Sequence, residues 1–66
     1  MYPTIAALFA DRLVSEERAR TVAFIIVDAC KEGENDRMAC AEELMAILKK
    51  YRPGLMKAVA ERLLFL

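Results

Sequence analysis

Apolar residues recur along this chain at the three-to-four-residue spacing of amphipathic helices, and interruptions of that rhythm divide it into four segments. In the first, Ile5, Leu8, Phe9 and Leu13 repeat on one side to about Val14, with Pro3 suited to the first turn. The second opens at Ser15, an N-cap residue, followed by Glu16 and Glu17 at the positive end of the helix dipole. It is predicted to run from Glu16 to about Glu32. Val22, Ile25, Ile26, Ala29 and Cys30 form its apolar stripe, with Phe24 and Val27 beside it. This helix is expected at the centre of the fold, with Ile25 in the core and Gly33 as the left-handed residue past its end.

The third segment is capped by Asn35 or Asp36 and reaches about Tyr51. Met38, Ala41, Leu44, Met45, Leu48 and Tyr51 share a face, with Ile47 on its flank. Pro53 stops it, because the residue before a proline is pushed out of helical geometry. Pro53 and Gly54 open the fourth helix, whose apolar positions are Leu55, Met56, Val59, Leu63 and Leu66. The β-branched run Thr21 to Val27 has no second strand to pair with. The expected fold is therefore all-α: one domain spanning 1–66, a small antiparallel bundle of three to four helices.

Composition adds a prediction about assembly. A 66-residue chain with 58% hydrophobic residues has more apolar surface than so small a core hides. Homodimerisation through the first and fourth helices is expected to cover the surplus. Ile5, Leu8 and Phe9 at one end, and Leu63, Leu64, Phe65 and Leu66 at the other, are the candidate interface. One helix cannot direct four consecutive large hydrophobes at a single core.

Charge and chemistry narrow the function classes. Ten basic residues balance ten acidic ones, so nothing in the total draws the chain to nucleic acid or anionic lipid. No apolar run approaches the ~18 residues of a membrane span. The fourth helix, with Lys57 and Arg62 opposite its leucines, is the one candidate for lying on a membrane surface. There is no histidine, and the two cysteines, Cys30 and Cys40, cannot complete a zinc site alone. They are expected to be small buried residues with free thiols, although a hairpin of the second and third helices brings them near each other. With no secretory signal ahead of the first helix, a reducing cytoplasm is the expected compartment.

The acidic groups Glu16-Glu17, Glu32/Glu34/Asp36 and Glu42-Glu43 fall at helix starts, in a turn or on polar faces, where they serve solvation and capping. Catalysis and cofactors are not expected. Lys49, Lys50, Arg52 and Lys57 form a local basic cluster that could meet an acidic partner. A helix-turn-helix reading makes the third helix the recognition helix, but its first half carries three acids and one arginine. The sequence thus favours a non-catalytic protein–protein interaction module, a homodimeric adaptor or inhibitor docking on a larger protein. A small DNA-binding regulator is the alternative.

Overall fold

A computed structural model of the chain describes residues 2–33 and 37–65. Within them lie four helices, α1 (Ile5–Ala10), α2 (Glu16–Glu32), α3 (Arg37–Tyr51) and α4 (Met56–Leu64), with a 3₁₀ turn at Pro53–Leu55 before α4. There is no strand among the described residues. The four helices pack into a compact body with a radius of gyration of 11.2 Å. α2 packs on both α3 and α4, and α1 packs on α3.

Local chemistry sets the boundaries. Thr4, in extended backbone, caps α1 by accepting the Ala7 N–H at 3.1 Å, so Pro3 precedes the helix instead of occupying its first turn. α1 also ends four residues earlier than its apolar spacing suggests. Asp11 leaves helical geometry and its carboxylate accepts the Leu13 N–H at 2.9 Å, a side-chain turn that redirects the chain. Leu13 is consequently 94% exposed. Ser15 caps α2 through the Arg18 N–H at 3.1 Å. Gly33 follows α2 in extended backbone with φ −69°, not in the left-handed region. An end carbonyl is satisfied another way: the Arg37 guanidinium donates to the Lys31 carbonyl at 2.8 Å. The expected caps Asn35 and Asp36 lie outside the described residues.

The core departs from the sequence expectation at α2. Its inward residues are Ala19, Ala23, Val27 and Cys30, spaced four, four and three apart. Ala19, Ala23 and Val27 are wholly inaccessible to solvent, while Ile25 is 63% exposed. The reason is steric. α2 packs against two neighbours at once, and small side chains let helix axes approach closely. Around this stripe gather Phe9, Val14, Leu44, Leu48, Leu55 and Val59. Phe9 is only 1% exposed, which corrects its expected place on a surface: α1 lies across α3 and drives the ring inward.

The disulfide overturns a further expectation. Cys30 and Cys40 are bonded to each other, with Cα atoms 5.8 Å apart, and tie the end of α2 to the start of α3. The free-thiol reading fails, and with it the argument for a reducing compartment that rested on unpaired cysteines. For a chain near the lower size limit of a self-supporting core, such a staple supplies stability that burial alone does not.

Candidate interaction surfaces

Pro53 forces Arg52 out of helical geometry, to φ −137° and ψ 60°, and the side chain turns back onto the α1–α2 connection. Its Nε donates to the Phe9 carbonyl at 2.8 Å, and Nη2 donates to the carbonyls of Asp11 and Val14, both at 2.8 Å. Nη1 pairs with the Glu16 carboxylate at 2.9 Å. One guanidinium therefore bonds three backbone carbonyls where α1 ends and the chain turns into α2, and its side chain is 11% exposed. A Cβ at Gly54 would stand 3.3 Å from the same Glu16 carboxylate. Arg52 thus leaves the basic cluster expected of it. Lys49, Lys50 and Lys57 remain exposed, with Lys50 Nζ 5.2 Å from the centre of the Tyr51 ring.

A second arginine fastens α4 to α2. Arg62 holds Asp28 with two hydrogen bonds of 3.0 and 2.9 Å and lies 4.7 Å over the Phe24 ring. Lys31 donates to the Arg62 carbonyl. The hydrogen bonds from Arg62 hold the Asp28 carboxyl below its ordinary pKa. Asp11 is lowered in the same sense, first by the Tyr2 hydroxyl and then by the Leu13 N–H. Each shifted acid has a local hydrogen-bond partner with a structural task.

The outer faces of α1 and α2 carry one apolar surface. Of the stripe expected to point inward, Cys30 is buried, Val22 and Ile26 are half-buried against the edge of the core, and Ile25 and Ala29 are exposed. Ile5, 49% exposed, stands beside them and borders two open clefts. One, of about 460 Å³, is lined by Tyr2, Pro3, Leu8 and Val22. The other, of about 420 Å³, runs along Ile25, Ile26 and Ala29 to the disulfide. Leu64 and Phe65 form a separate apolar patch at 75% and 78% exposure.

Of the residues proposed as an interface, Ile5, Leu64 and Phe65 are therefore exposed, Leu8 and Leu63 are half-buried against the core, and Phe9 is inside it. Leu66 lies outside the described residues. The sequence reading missed Ile25 as a surface residue. The signal available was the second stripe of smaller residues, Ala19, Ala23 and Val27, at equally good helical spacing.

Among the described residues no helix is long and apolar enough to cross a membrane. Comparison with protein-family models, with curated proteins and with solved structures returned no match for this chain.

Proposed function

We propose that this chain is a non-catalytic protein–protein interaction module, one that self-associates and docks as a small adaptor or inhibitor on a larger protein. The observation that supports this reading is the outer face of α1 and α2. A helix already provided with an inner apolar stripe carries a second one, of larger residues, on its outside, with Ile25 63% exposed. Contiguous apolar surface of this kind marks a place where another chain excludes water. The exposed lysines Lys49, Lys50 and Lys57 stand ready for an acidic rim on the partner.

The test uses tagged wild-type chain and an Ile25→Asp variant as parallel baits, with circular dichroism confirming that both are folded. Partners held by the wild type and lost by the variant are then purified and titrated directly. Equal retention of every partner by both baits would move the site away from this face. If no partner is held and the chain is monomeric, the interaction reading fails.

A further inference from the structure

Along the outside of α2, Arg18, Val22, Ile25, Ala29 and Glu32 follow one another at spacings of four, three, four and three. That is the heptad spacing of a seam between two packed helices, here on a face that α1 borders at Val22 and otherwise leaves open. Arg18, Ile25, Ala29 and Glu32 are exposed and Val22 is half-buried. α1 stands beside this line, its Ile5 sharing a cleft with Ile25 and Ala29, and leaves Ile25 open.

The charges at its two ends identify the occupant. Arg18 lies two turns before Ile25 and Glu32 two turns after it, each about 10 Å along the axis. The two ends of the line are therefore equidistant from Ile25 and opposite in charge. A second α2 laid antiparallel, with the two-fold axis at Ile25, brings Arg18 level with the other copy's Glu32 at both ends. It sets Ile25 against its own counterpart in the middle, and Val22 beside Ala29. A parallel arrangement instead sets arginine against arginine and glutamate against glutamate. Among the described residues the ion pairs are Arg52–Glu16 and Arg62–Asp28, and neither draws on Arg18 or Glu32.

We propose that the outer face of α2 is the docking surface for a second copy of this chain, antiparallel about Ile25, with the Arg18–Glu32 pairs setting its direction. An isologous contact of this kind closes as a dimer and leaves no repeating edge. The proposal rests on the interaction reading above and supplies the surface for its self-association. It also moves the expected dimer seam from the first and fourth helices to the second.

Sedimentation equilibrium on the full chain, with its disulfide intact, tests the charges as a cycle. Arg18→Glu alone, or Glu32→Arg alone, places two like-charged pairs in the seam and weakens self-association at least about tenfold. The double exchange R18E/E32R restores it. An equimolar mixture of the two single variants forms the heterodimer, because one then carries only acids and the other only bases at the seam. Ile25→Asp, at a position already exposed, abolishes the dimer and keeps the helical dichroism spectrum.

A wild-type dimer that ignores these four variants and dissociates on Phe65→Ala would overturn the seam but leave the interaction reading standing. A wild-type chain that stays monomeric throughout would overturn self-docking. The capture experiment with Ile25→Asp would then decide separately whether a different protein uses the face.

Discussion

The two sides of α2 invert the usual association of hydrophobic strength with burial. Inward it shows Ala19, Ala23 and Val27, all inaccessible; outward it shows Val22, Ile25 and Ile26, larger on average and partly in water. A helix squeezed between two others is selected for side chains that fit the gap, and apolar area left over goes wherever room remains. Size at the crossing decides which stripe is core. Apolar strength then decides which surface is sticky.

The same substitution on the two sides makes the sharpest test. Val27→Asp places a carboxylate where no solvent reaches and no cation waits, and costs several kcal/mol, on the order of the whole stability of so small a domain. It should abolish the cooperative thermal transition. Ile25→Asp, two residues earlier, should shift stability by no more than about 1 kcal/mol in a monomeric sample. Were both to unfold the chain equally, the assignment of inner and outer faces would be wrong.

Next in size is Ala23→Leu. Extra volume between α2 and its neighbours should cost about 1–3 kcal/mol in urea denaturation, even though it raises hydrophobicity. A neutral or stabilising result would mean that the gap is looser than the burial of Ala23 implies.

The smallest effect comes from the polar side of α2, where Asp28 meets Arg62. Asp28 and Asp11 both titrate below the ordinary aspartate value of 3.8 in the folded chain. The unfolded chain therefore takes up protons first as the pH drops. The stabilisation is complete above the ordinary value and disappears as pH falls through the lowered folded values. Melting temperature should decline below about pH 4, and Asp28→Asn should flatten that decline; an unchanged acid limb would remove the Asp28–Arg62 pair as a stabilising contact.

Much of the architecture was legible from sequence because it rests on short-range rules. Ser15 and the acids after it mark the start of α2, and Pro53 marks the end of α3. What escaped depends on partners distant in sequence. Pro53 sets the Arg52 backbone apart from that of Lys49 and Lys50, but the role of its side chain appears only when the α1–α2 connection arrives beside it. Phe9 and Phe65 look alike as aromatics near chain ends, yet one is buried by α3 and the other is left outside. Ile25 was misplaced because two overlapping stripes fit a period of 3.6, and periodicity weighs residues by hydrophobicity without asking how close the neighbouring helix comes. The approach of Cys30 and Cys40 was visible in their spacing, but their oxidation state was not.

The Arg52 hydrogen bonds also bear on the order of events in folding. They join backbone carbonyls 38 to 43 residues away in sequence, through the tip of a long side chain. Contacts of that span close large loops, and a side-chain clasp gains strength only once the groups it joins are fixed. It is therefore expected on the downhill side of the barrier, after α2, α3 and α4 have met. Arg52→Ala should therefore leave the refolding limb of a chevron plot almost unmoved and steepen the rate of escape from the native state. In this chain one arginine would set how long the fold lasts while having little say in how fast it forms.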